Sequence, residues 1–150
     1  YSLMSQIFSK KFIMIGDGEN KKSISYVKNV TDFIIYLKDK EFNGLKIYNY
    51  VDKPDLSMNE LATIIYDKLK INIPKYKIPI FLATNIARGF DMLSSFTKKK
   101  YIISYVRVKK FCANTIYSSN KTDILFKPKY DLKKAISKTL DYEFNNSNKD

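Results

Sequence analysis

The 150-residue chain contains no histidine. Imidazole acid–base catalysis and histidine-ligated metal centres are therefore excluded. A single cysteine, Cys112, cannot close an intrachain disulfide, and with no histidine to activate it we read it as a packing residue. No uncharged run approaches the roughly 18 residues that a membrane-spanning helix needs. The longest apolar stretches, such as residues 78–83, suit the core of a soluble fold. Nothing at the N-terminus has the pattern of a secretory leader, and with the lone cysteine this leads us to expect a cytoplasmic location. A G-x-S-x-G elbow, a Walker loop and a paired-carboxylate spacing are missing too. The first residue is Tyr1 rather than methionine, as expected of a chain processed, trimmed or cut from something longer.

Acidic side chains are also scarce, 15 against 27 lysines and arginines, for a net charge of +12 and a pI near 9.6. Nucleic-acid binding would explain the excess. So would a lysine-rich coding bias, because lysine, asparagine, isoleucine and tyrosine are abundant along the whole chain. Net charge informs on partners and solubility, not on fold, and a phosphate-bearing small ligand would profit from the same charge. With 45% hydrophobic residues the chain can bury one core, and its length suits one domain.

The most informative stretch is residues 12–30, FIMIGDGENKKSISYVKNV. Its apolar start, Phe12 to Ile15, is short enough for a buried strand, and Gly16-Asp17-Gly18 is a strong turn signal. Lys21 and Lys22 then face solvent or an anion from a loop. A second strand follows near Ile24, and Asn29 can cap a helix running to Lys40 on the stripe Val30, Phe33, Ile34 and Leu37. Residues 45–50, LKIYNY, have the composition of a strand, and Asp52-Lys53-Pro54 reads as a loop. Ser57 and Glu60 form a capping box for a helix to about Lys70. Pro79 introduces a long helix to about Ser95, with Ile80, Ala83, Ala87, Phe90 and Leu93 on its inner stripe. Residues 98–110 form a basic loop. Ile116 marks a further strand, Asn120 another helix start, and Asp131 caps a last helix that buries Leu132, Ala135, Ile136, Thr139 and Leu140. An initial helical remnant puts Leu3, Ile7 and Phe8 on one face.

The phrase G-x-G-x-x-x-[R/K]-x-x-x-x-V-x-[D/N]-V, kept here from Gly16 to Val30, resembles the opening of the substrate-binding half of the extended short-chain dehydrogenase/reductases. These are the NAD(P)-dependent sugar-nucleotide epimerases and dehydratases. The resemblance continues in order through "iYN", the capping box, the "iP" helix, "RVKKF" and Phe126-Lys127-Pro128, covering Ile7 to about Tyr142. It implies an α/β fold, the C-terminal part of an extended Rossmann-type enzyme, with few short strands and about five helices. Residues 1–144 would be the substrate-binding portion and residues 145–150 a disordered polar tail.

The resemblance stops short of the family's catalytic half. The Gly-rich dinucleotide fingerprint is absent, and the Tyr-x-x-x-Lys spacings at Tyr66–Lys70 and Tyr105–Lys109 read as chance matches. NAD or NADP is expected in the complete protein and none on this chain alone. No catalytic residue and no metal ligand is assigned. The implied partner is a nucleotide-diphosphate sugar, and the complete protein is expected to be a homodimer. By the resemblance, Arg107 stands where the family grips the diphosphate, as a planar guanidinium suits. Lys22 stands where many members place an arginine, keeping the charge but losing the fork. Phe12 or Met14 would lie against the base, or be core. A second reading remains: residues 98–110 interleave lysines with Tyr101 and Tyr105, next to Phe111, as a nucleic-acid-binding module would. A non-catalytic interaction domain is the third.

Overall fold

The computed structural model describes residues 2–98, 101 and 103–145. The expected polar tail from 145 lies almost wholly outside them. In chain order the elements are α1 (Ser2–Phe8), β1 (Met14–Ile15), β2 (Lys21–Ile24), α2 (Val27–Lys38), β3 (Asp52–Ser57), α3 (Met58–Leu69), β4 (Lys77–Ile78), α4 (Ile80–Thr97), α5 (Tyr105–Cys112), α6 (Asn120–Leu125) and α7 (Leu132–Leu140), the last running into a π-turn, Asp141–Asn145. The architecture is mixed α/β with few short strands, as expected, but the described residues hold seven α-helices and not about five, one of them formed within the stretch read as a basic loop. Strand β1 pairs parallel with β4, and β2 pairs antiparallel with β3 through Lys21–Ser57, Lys22–Leu56 and Ile24–Asp52.

Several local signals act as their chemistry requires. Gly16 and Gly18 both take positive φ, +79° and +78°, and turn the chain between β1 and β2. The turn leans on α3, where the Asn59 amide nitrogen donates to the Gly18 carbonyl at 3.0 Å and its side chain donates to the Asp17 carbonyl at 2.8 Å. The Ser57–Glu60 box is complete, and Asp131 accepts from the Lys134 amide to cap α7.

The main core packs Ile7, Met14, Leu61, Ile65, Ile136 and Leu140 among others, joining α1, β1, α3 and α7. Each such fully buried aliphatic side chain contributes roughly 1.5–3 kcal/mol. A smaller cluster of Ala83, Ala87 and Val108, with Ile15 and Ile78 against it, joins α4 to α5 and to β1/β4. Two-residue β1 therefore serves both clusters, because successive strand side chains point to opposite faces.

Several expectations are corrected. Of the expected inner stripes, Ile34 in α2 and Ile80 and Leu93 in α4 stand 46–61% exposed, because α4 buries only its small residues Ala83 and Ala87. Residues 45–50 form no ladder: Leu45 and Ile47 are exposed, and the segment docks through Tyr48 and Tyr50 against Phe33. The strand instead comes from 52–57, read as a loop at its start, because β2 offers it an antiparallel partner. Helix α2 begins at Val27, so Asn29 lies inside it, fully buried, and does not cap it. The basic stretch is not all loop: Ser104 caps α5, whose Tyr105, Val108 and Cys112 face the α4 cluster. Near Ile116 the only pairing among the described residues is a bridge from Thr115 to Lys22.

A Cβ at Gly18 would strike the Asn59 side chain and sit at an unfavourable φ, whereas one at Gly89, inside α4, would meet open space. Gly18→Ala should therefore cost about 1–3 kcal/mol in urea unfolding, and Gly89→Ala should gain about 0.5–1 kcal/mol. Equal effects of the two substitutions would contradict the turn geometry.

Candidate functional site

Helix α5 is short, and an isolated helix of eight residues is marginal in water. Its position is set from outside. At its N-terminus the Asp91 carboxylate of α4 accepts from the Tyr105 amide at 2.9 Å. The Arg88 guanidinium lies 4.8 Å from the Tyr105 ring centre, and hydrogen bonding from Arg88 and then Lys109 holds that phenol below its usual pKa. At the C-terminal end, the Lys22 ammonium of β2 donates to the carbonyls of Lys110 (2.9 Å) and Ala113 (2.6 Å) and to the Thr115 hydroxyl. The Asn20 side-chain amide donates to the Phe111 carbonyl at 2.8 Å. These donors answer carbonyls that a helix end leaves without partners.

Between β1/β4 and the α4–α5 pair runs a groove of about 370 Å³. Its walls include Ile13, Ile15, Ile78, Ile86 and Ile103, and its polar side chains are Gln6, Ser104 and Arg107. Phe12, buried to 5% exposure in the main core, turns one edge to the same groove beside Phe111. The fold thus brings Phe12 and Arg107, 95 positions apart (107 − 12), to one concavity. Met14 is core, and Lys22 is outside the groove. The groove walls could not be foreseen, because the β1/β4 pairing that brings Ile15 and Ile78 together spans only two residues per strand.

Chemically the groove is an apolar slot with a guanidinium and, among the described residues, no carboxylate or thiol in its lining. It can hold an amphiphilic anion and offers no general acid or base of its own. Burial lowers the Lys22 pKa, while proximity to Cys112 works the other way. Burial likewise pushes the Cys112 thiol up, Lys22 opposing and Asp17 adding to the rise. Among the described residues no group of three acidic or cysteine side chains is placed to hold a metal ion.

The Gly16–Gly18 turn does not fit a dinucleotide. It leads into a strand, not into a helix N-terminus that would receive a pyrophosphate, and the Asn59 side chain fills the space over Gly18.

No family model matches the chain. Its whole length aligns, 43% identical over 151 residues, with an N-acetyl-alpha-D-glucosaminyl-diphospho-ditrans,octacis-undecaprenol 4-epimerase of Escherichia coli O157:H7. The chain is thus similar along its whole length to part of that epimerase. It aligns with the C-terminal part of that relative, an extended short-chain dehydrogenase/reductase-type epimerase, and spans 46% of its length. The resemblance read from the order of the sequence motifs is thereby supported over the whole chain.

Lys22→Met removes three donated hydrogen bonds and should lower stability by about 2 kcal/mol. It also removes the positive charge beside Cys112, so the midpoint of the thiol's alkylation pH profile should move upward. An unchanged midpoint would mean that the ammonium does not sit at the end of α5.

Proposed function

We propose that this chain is the substrate-gripping part of an epimerase for diphosphate-linked sugars, and that it is catalytically incomplete alone. The carrying observation is the groove that sets Arg107 beside an apolar wall. A guanidinium matches a diphosphate through paired N–H donors, and its place in the first turn of α5 adds favourable helix-end potential for an anion. The complete protein would hold NAD or NADP in its other part, and the hydride and proton steps belong there. This chain's contribution is to bind the diphosphate and so orient the sugar.

Two substrates of that class compete. A nucleotide-diphosphate sugar is what the motif order implies, with the Phe12 edge against the base. A prenyl-diphosphate sugar is favoured by the isoleucine walls, which offer area for burial and few partners for a base's hydrogen-bonding edges. The relative's name, a glucosaminyl-diphospho-undecaprenol epimerase, agrees with the second. Nucleic-acid binding has less support, because Tyr105 and Lys109 of the basic stretch are engaged with Arg88 and with each other.

Calorimetric titration of the chain with UDP-N-acetylglucosamine and with geranyl diphosphate tests the proposal. At least one should bind, and Arg107→Ala should weaken that binding tenfold or more, about 1.4 kcal/mol. Binding of neither, or equal binding by the variant, would contradict it. Turnover of a sugar substrate by residues 1–150 unaided would contradict the catalytic incompleteness.

A further inference from the structure

Helix α4 is built the wrong way round for a helix bathed in water. Its packed side carries small residues, Ala83 and Ala87, while Phe81, Leu82, Met92, Leu93 and Phe96 stand 50–78% exposed. At 3.6 residues per turn Phe81, Met92 and Phe96 project from the side opposite Ala83 and Ala87, which they share with Asn85 and Gly89, while Leu82 and Leu93 extend this face along one flank and Arg88 bounds it on the other. No charged residue falls on the arc from Phe81 round to Leu93. Asp91 points back to the α5 amide it accepts from, and Arg88 lies over Tyr105 on the flank. Eighteen residues make a face about 27 Å long, far more than the scattered exposed apolar residues of an ordinary surface.

The ends of the helix bear on what covers this face. Lys75 and Tyr76 precede it and Lys98 follows it, all exposed, with Tyr76 at 85%. An uncharged plank of Phe, Leu and Met edged by lysines and a tyrosine is the composition of a helix lying in a lipid interface, where ammonium groups reach phosphates and aromatic rings sit at headgroup depth. The chain's +12 charge complements an anionic surface. A protein partner would more often meet such a plank with an acidic rim matching its lysines, a demand that an anionic bilayer meets everywhere.

We propose that α4 docks this chain in plane on anionic membranes, its Phe81–Phe96 face sunk among the acyl chains and Lys75 and Lys98 at the headgroups. No helix among the described residues is long and apolar enough to cross a membrane, so the contact is one of surface immersion. Ile86 borders both this face and the groove, which places the groove mouth next to the bilayer. The inference stands on α4 and does not require the epimerase reading.

The chain has no tryptophan, so Phe96→Trp supplies a single reporter. With phosphatidylglycerol/phosphatidylcholine vesicles its indole emission should shift to the blue and be quenched by brominated acyl chains. Partitioning should be at least tenfold stronger than onto pure phosphatidylcholine and should weaken with salt. Phe81→Asn with Met92→Asn, in the same reporter background, should reduce partitioning at least tenfold while circular dichroism stays unchanged. Three results would overturn the proposal: no partitioning onto the anionic vesicles, partitioning that ignores the Phe81/Met92 substitutions, or a blue shift that grows with protein concentration without lipid. The last would make a second copy of the chain the occupant of the face.

Discussion

The candidate site depends on a strand closing off a helix. Helix α5 carries Arg107 but is too short to hold itself, and its final carbonyls are answered by Lys22 and Asn20 reaching from β2 and the turn before it. The chain beyond α5 is then stitched to the same strand: Ser23 donates to the Thr115 carbonyl at 2.7 Å, and Thr115 to the Lys21 carbonyl at 2.9 Å. Part-buried ammonium and amide groups without these acceptors would lose solvation with no return, so the arrangement is held from both sides. Lys22 thus acts on the groove from a distance, by fixing where α5 ends and hence where Arg107 begins.

A second polar junction secures the far side of β2. Asp52 opens β3 with its carboxylate 2% exposed, and accepts from the Tyr26 amide (2.7 Å), the Asn29 amide group (2.9 Å) and the Tyr50 hydroxyl (2.8 Å). Burial and this hydrogen bond push the Tyr50 phenol well above its usual pKa. Asn29 spends its other groups on the backbone of Tyr130, donating at 2.7 Å and accepting at 3.1 Å. One buried carboxylate and one buried amide therefore join α2, β3 and the approach to α7. Fully satisfied buried polar networks of this kind specify a single arrangement, because every alternative leaves a charge or amide unpaired.

What was legible in the sequence was local. Gly16 and Gly18 need positive φ, and Ser57 with Glu60 or Asp131 with the Lys134 amide lie within one helical turn, so their neighbours along the chain suffice to read them. What was not legible depends on distant partners. Residues 45–50 have strand composition but no strand beside them, whereas 52–57, poor by propensity, finds β2. Asn29 looks like a cap until Asp52 and Tyr130 are placed around it. The lysine density of 98–110 concealed the spacing of Tyr105, Val108 and Cys112 that makes α5 a helix. Phe12 and Arg107 could be named singly from the family resemblance, yet only the fold brings them to one groove. The role of Lys22 was hidden because its acceptors lie some 90 residues further along the chain.

The chain has two arginines, Arg88 and Arg107, and their side-chain Nε–H signals can be resolved by nitrogen-15 NMR. Titrating the labelled chain with a diphosphate ligand and following these two signals tests most directly whether the groove grips a diphosphate. The account predicts that the Arg107 signal shifts with saturating dose dependence while Arg88, committed to the Tyr105 ring, stays in place. An unmoved Arg107 signal under binding, or a shift confined to Arg88, would contradict it.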